Sequence, residues 1–242
     1  MVISHTPAGG KDGVRTNSKT GLRETTPPPL ENGDRLTRDE FERRYDAMPD
    51  LKKAELINGV VYMGSPVRFG KHGEPHARLL TWLGTYAAFT EGVRHGGNTT
   101  VRLDWDTEPQ PDALLRVEPE GHANSRITAD DYVEGAPEFV AEISASTVSY
   151  DLHDKMDAYR RAGVREYLVW RVEDQEVDWF LLRDGEYVRI PRGADGVYES
   201  STFPGLRLAV TALLAGDMAQ VMGELQKGLD AAEHAEFVAS LA

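Results

Sequence analysis

Between Pro75 and Thr90 the apolar side chains Leu79, Leu80, Leu83, Tyr86 and Ala87 recur at the spacing of one helical face. Pro75 stands at the permitted first turn and Gly92 just past the end, so a long helix is expected there. Upstream, AELINGVVYM holds two β-prone runs around Asn58-Gly59, the dipeptide that fills the positive-φ positions of a two-residue hairpin turn. Strand-like runs follow over residues 99–105, 113–117 and 138–144, the last two separated by the polar stretch 119–136. A second helix is expected over residues 151–162, ended by Gly163. REYLVWRV, EVDWFLLR and EYVRIP then read as strands, the last two joined at Asp184-Gly185. Near the start, Thr37 followed by Glu40 predicts a capping box opening a short helix that Pro49 closes. The order helix, hairpin, helix, strands, helix, strands predicts an α/β (α+β) core over residues 35–212, a mixed central β-sheet flanked by helices. A C-terminal helix is expected within residues 213–242, where an amphipathic stretch closes the chain.

Composition changes this picture at one end. The first 34 residues are rich in Gly, Pro, Ser, Thr and Asn and nearly free of large apolar side chains, so residues 1–34 are expected to form a disordered tail. Their deletion should then leave the folding transition cooperative. No run of 18 apolar residues occurs, and the N-terminus lacks the apolar stretch of a signal peptide, which predicts no membrane span and a cytoplasmic location. The absence of cysteine excludes disulfides, thiolate catalysis, zinc knuckles and iron–sulfur clusters, so carboxylates, histidines, lysines and hydroxyls must carry the chemistry. A net charge of -13 argues against a generally basic nucleic-acid-binding surface, although Arg160, Arg161 and Arg165 offer a local patch for phosphates.

Several familiar sites are missing. No phosphate-cradling glycine motif is present, and no GxSxG elbow frames Ser144 or Ser146. His72 and His76 are four residues apart, but Gly73 and Pro75 are expected to interrupt the helix that would align them as a zinc pair.

The informative constellation is Asp112, Glu142 and Lys155. Asp112 follows Pro111, which cannot continue a central ladder, so its carboxylate is expected at a strand's start. Glu142 lies inside the apolar run FVAEIS, on one face with Val140 and Ser144, where an unpaired carboxylate is costly. On the following helix Leu152, Met156 and Tyr159 form a stripe expected to face the sheet, with Lys155 roughly 60° off its centre, close enough to curl in. Two carboxylates suit Mg²⁺ or Mn²⁺, and a neighbouring lysine can position water and offset phosphate charge. Each residue also has a plainer reading: Asp112 as a turn residue, Glu142 as the partner of an arginine, Lys155 as a solvated lysine paired with Asp151.

The chain resembles the PD-(D/E)XK restriction-endonuclease-like superfamily, and within it the Uma-type endonuclease family, over about residues 36–210. The carriers are Glu55-Leu56-Ile57-Asn58-Gly59, His76, Pro111-Asp112, Glu142 through Thr147, Asp151, Lys155, Tyr159, Gly163-Val164 and Glu166-Tyr167-Leu168-Val169. The resemblance implies that Asp112 and Glu142 bind the metal and that Asp112, Glu142 and Lys155 are catalytic. It places Glu55, His76, Ser144 and Arg160 as residues that support the site or touch substrate. Ser144 stands where the superfamily motif has its lysine, a role the resemblance transfers to Lys155, and Leu168 stands where relatives have tryptophan. The expected function is Mg²⁺-dependent cleavage of nucleic acid, DNA foremost, by a chain that can form a homodimer. Two other readings remain: a catalytically silent nuclease-fold domain that binds a protein or nucleic-acid partner, and a hydrolase of a smaller phosphoester.

Overall fold

The computed structural model describes residues 26–64, 66–118, 122–145 and 147–241. Ser146, part of the family pattern, and residues 1–25 of the expected tail lie outside them. The chain opens with α1 (Arg38–Asp46) and the hairpin β1 (Ala54–Ile57) and β2 (Val60–Met63). A π-helical turn (Phe69–Gly73) runs directly into α2 (Glu74–Ala88), followed by β3 (Val93–Gly96), β4 (Val101–Arg102) and β5 (Ala113–Val117). Next come β6 (Ser125–Ile127), β7 (Val133–Gly135) and β8 (Phe139–Ser144), then α3 (Val148–Asp151) and α4 (Asp154–Ala162). The strands β9 (Glu166–Arg171), β10 (Glu176–Arg183), β11 (Glu186–Arg189), β12 (Val197–Glu199) and β13 (Arg207–Ala209) lead to α5 (Val210–Ala215), α6 (Met218–Leu229) and α7 (Ala232–Ser240).

The fold is the expected mixed α+β type. Its central sheet has the order β11-β10-β9-β8-β5-β3. Only β8 and β9 pair in parallel there; their connection is a crossover through α3 and α4. Alternation along β8 divides its side chains between two cores. Phe139, Ala141 and Ile143 join Trp82, Trp179 and the C-terminal helices on one face, and Val140 joins Tyr159, Tyr167 and Val169 on the other. Glu142 shares the second face, beneath α4. The first core is locked by edge-to-face contacts of Trp179 with Trp82 and Phe139, at centroid separations of 5.9 and 5.5 Å.

Local turn chemistry works as the sequence predicts. Asn58 and Gly59 have φ of 52° and 74°, and Asp184 and Gly185 have 51° and 81°, as the two-residue hairpins require. Gly163, at φ 87°, ends α4 and donates to the carbonyls of Tyr159 and Arg160.

Other expectations need correction. Thr37 precedes α1 but its hydroxyl makes no capping bond, and the Glu40 side chain turns to Arg43 and Arg44 instead of back to Thr37. The strand expected over residues 99–105 is reduced to Val101 and Arg102, since the chain turns at Asp104–Asp106. The polar stretch 119–136 contains β6 and β7, which pair with each other, and β7 also pairs with β4. The second helix is broken at His153 into α3 and α4. The C-terminal segment is α5, α6 and α7 rather than one helix, and Val221, Leu225 and Leu241 enter the main core. Residues 30–34 are no tail: Leu30 is buried with Phe41, Leu56 and Val61, and Gly33 and Asp34 exchange backbone hydrogen bonds with Val61. One leucine therefore anchors a segment whose average composition is polar. Leu30→Ala is expected to cost about 2–4 kcal/mol in a urea melt, and removal of residues 1–34 to lower the midpoint of a transition that stays cooperative.

Candidate active site

The β1–β2 hairpin, the approach to β5, strand β8 and helix α4 each deliver one charged group to the same buried place. Glu55, Asp112, Glu142, Asp151 and Lys155 are all between 2% and 7% exposed. Lys155 Nζ donates to Glu142 Oε1 at 2.9 Å and lies 2.9 Å from Glu55 Oε1. Tyr159, one turn further along α4, donates its hydroxyl to the same Glu142 oxygen at 2.8 Å. Glu55 is held in turn by the backbone N–H of Gln110, 2.7 Å from its Oε1.

Lys155 therefore does not curl in from the side of a stripe. The buried residues of α4 are Lys155, Ala158 and Tyr159, while Leu152 and Met156 are only partly covered. The charged residue itself faces the sheet.

Asp112 occupies the residue before β5, and its Oδ2 accepts the backbone N–H of Ile143 at 2.7 Å. Just past the last β5–β8 pair, Ala113 with Ala141, the Asp112 carboxylate thus ties β8 to the start of β5. Its Oδ1 accepts from His72 Nε2 at 3.1 Å, with Lys53 Nζ 3.8 Å away. His76 Nε2 lies 2.7 Å from the Asp112 carbonyl, to which it can only donate. The two histidines thus stand side by side, rings 5.6 Å apart, on a helix that continues through Gly73 and Pro75. The interruption expected between them is absent because the preceding turn is π-helical. Both address Asp112, one at its side chain and one at its backbone.

Ser144 is fully buried, 3.4 Å from the Thr147 hydroxyl, which bonds Asp151 Oδ2 at 2.5 Å. Arg160 is not brought to the site: it bonds the Gly185 carbonyl and pairs with Asp157 and Glu186 at the β10–β11 turn. The sequence reading missed Lys53, Tyr62, Tyr150 and Gln110. None carries a local motif, and each arrives through long-range packing. The hydroxyl role of Tyr159 was hidden behind its apolar ring.

The electrostatics divide the two principal acids. Burial works against ionisation of Asp112, but His72, Lys53 and the Ile143 N–H outweigh it and hold the carboxyl at about 2. Glu142 is pushed upward by burial, against the pull of Lys155, and the nearby Asp112, Asp151 and Glu55 push it further. Burial also opposes charge on Lys155, yet Glu142, Glu55 and Asp151 together hold its ammonium well above the ordinary range. One ammonium is shared among several acids. It stays charged, and the acids compete for it. Among the described residues no three His, Asp or Glu side chains converge as a ready-made metal cage.

The fold built around this cluster has a solved counterpart, titled a "putative nuclease belonging to DUF820", from Anabaena variabilis. It matches with a TM-score of 0.54 at 14% identity, over 74% of this chain and 98% of its own. That likeness shows a shared fold. Residues 38–211 match the model of the Uma2 family, described as "Putative restriction endonuclease", and the chain belongs to that family. No curated protein sequence matches it. Among the described residues no helix is long and apolar enough to cross a membrane.

A further buried acid near Glu55 gives a test of these electrostatics. Glu108 pairs with Leu56 by backbone hydrogen bonds, and its Oε2 has no partner among the described residues. Burial first, then the Glu42 carboxylate, outweigh Arg102 and Arg38 and raise Glu108 from 4.5 to about 8. An acid raised on folding contributes stability that is full below about pH 4.5 and is lost as pH rises through about 8. Glu108→Gln is expected to abolish that loss, so its thermal midpoint should exceed the wild type's at pH 8 and converge with it near pH 4.5, as followed by circular dichroism.

Proposed function

We propose that this protein is a Mg²⁺- or Mn²⁺-dependent endonuclease that hydrolyses phosphodiester bonds of DNA, with Asp112 and Glu142 holding the metal and Lys155 acting on the substrate. The observation that carries this reading is the charge imbalance of the site: three buried acids, Glu142, Glu55 and Asp151, act on one buried lysine, and a fourth, Asp112, acts on Glu142. The donors are hard oxygens, one of them on a carboxylate held ionised at about 2, which suits a divalent cation. Mg²⁺ commonly takes only one or two protein carboxylates and completes its shell with water and phosphate oxygens, so a three-acid cage is unnecessary. Bound there, the metal would supply Lewis-acid stabilisation of phosphoryl charge and a more acidic water.

The chain's own groups prepare that chemistry. His72 and Lys53 keep Asp112 ionised, and Tyr159 fixes the Glu142 oxygen that Lys155 also holds. Glu142 and Glu55, each 2.9 Å from Lys155 Nζ, can take two of its three ammonium protons. The third is left to orient an attacking water or to meet a phosphoryl oxygen. Beside Asp112, the chain from Val67 to Lys71 carries Arg68 and Lys71, with Val67 and Phe69 exposed at 68% and 78%. Cations and a free aromatic ring at this edge fit a nucleic-acid strand on a chain whose net charge is otherwise -13.

The test is a substrate panel of supercoiled plasmid, single-stranded DNA, RNA and bis(p-nitrophenyl) phosphate with Mg²⁺ or Mn²⁺. Cleavage of DNA is expected, falling at least about 100-fold in Asp112→Ala, Glu142→Ala and Lys155→Ala variants shown to be folded. Turnover of the small ester alone would make the protein a hydrolase of smaller phosphoesters. Neither cleavage nor calorimetric metal binding would overturn the proposal and favour a silent binding domain.

A further inference from the structure

The phenol of Tyr150 lies on α3, between the strand that bears Glu142 and the helix that bears Lys155. Its ring stands over the Lys155 ammonium, 5.5 Å from Nζ to centroid, and packs on the Tyr62 ring at 4.3 Å. The tyrosines around it have their hydroxyls engaged: Tyr159 with Glu142, Tyr167 with the Asp151 carbonyl, Tyr62 with Asp154. Tyr150 Oη is the exception. It is buried, and it has no hydrogen-bond partner among the described residues.

A buried hydroxyl without a partner leaves its desolvation uncompensated, and phenylalanine would fill the same space without that cost. Ring packing explains the aromatic side chain but not the oxygen. The oxygen's surroundings suggest what would complete it. A ligand that meets the Lys155 ammonium is anionic and rich in acceptor oxygens, and a phenol beside it is a donor. Lys155 and Tyr150 are thus two donors of the kind that the oxygens of a phosphoryl group accept, a group whose charge grows as it reacts.

We propose that Tyr150 is a further catalytic residue of this site, its hydroxyl donating to a non-bridging oxygen of the phosphoryl group that Lys155 meets. The inference rests on the nuclease reading for its substrate but on the Tyr150 hydroxyl itself for its evidence. Because the Tyr150 ring stands over the ammonium, this contact requires that ring to move aside as the phosphoryl group enters.

Tyr150→Phe removes the one atom in question, and the full-length chain serves as the background. Three quantities are measured for wild type and variant: the thermal midpoint, the affinity for inorganic phosphate with Mn²⁺ by calorimetry, and kcat and KM on the best substrate of the panel. The variant is expected to melt at or above the wild-type temperature, because an uncompensated polar atom is gone. It should bind phosphate roughly tenfold more weakly, equivalent to about 1.4 kcal/mol, and lose roughly 10- to 100-fold in kcat with little change in KM. A lower melting temperature would show that the hydroxyl has a structural partner and would overturn the proposal. So would phosphate affinity and kcat equal to wild type, or no phosphate binding by the wild type. Phosphate binding that depends on Tyr150 in a protein that cuts nothing in the panel would retain the phosphoryl contact and reject the nuclease reading.

Discussion

The ammonium of Lys155 is buried, and that constraint organises the structure. A lysine 3% exposed is tolerable only if carboxylates reach it with good geometry, and the fold brings Glu142 and Glu55 to 2.9 Å from two directions. The same ion group ties the β1–β2 hairpin to the central sheet. The hairpin has its own small core with α1 and Leu30, and this charged contact joins the backbone hydrogen bonds of Leu56 with Glu108 in setting its position. Removing either partner would leave an uncompensated buried charge rather than a harmless gap.

The acids of the site are not equivalent. Asp112 is surrounded by donors, from a histidine, a lysine and a backbone amide, and is a fixed negative charge. Glu142 shares its cation with neighbours of its own sign, and burial keeps its proton affinity high. Two carboxylates on adjacent strands thus have different electrostatic characters, set by strand ends and helix placement rather than by residue type. His72 and His76 divide their labour in a similar way around Asp112, one stabilising its charge and the other its backbone.

Much of this was legible in the sequence. Asn58-Gly59 and Asp184-Gly185 announce their hairpins because φ is locally determined, and FVAEIS announces a buried acid because period-two alternation assigns Glu142 to a face. The family resemblance ordered Asp112, Glu142 and Lys155 into one site. The illegible parts are those that depend on distant packing. Nothing near Tyr150, Lys53 or Gln110 indicates that they meet Lys155, Asp112 and Glu55 respectively. The apolar stripe of α4 pointed at Leu152 and Met156, whereas the buried side is set by acids more than ten residues away. The π-helical turn reversed the argument from Gly73 and Pro75, and a single buried leucine reversed the compositional argument for residues 30–34. Arg160 read as a phosphate contact from charge alone, and the β10–β11 turn claimed it instead.

The crossover between β8 and β9 also sets an order of events in time. Parallel strands cannot pair until the whole connecting segment exists, and pairings distant in sequence close late in folding. The site groups run from Glu55 to Lys155, and the sheet that fixes Glu142 needs β9, which ends at Arg171. A chain still being synthesised, with its hairpin and first long helix already outside the ribosome, holds Glu55 and His72 without their partners Lys155 and Asp112. Whatever chemistry the site performs begins only after the strand beyond that lysine has been made, so an unfinished chain is silent by construction.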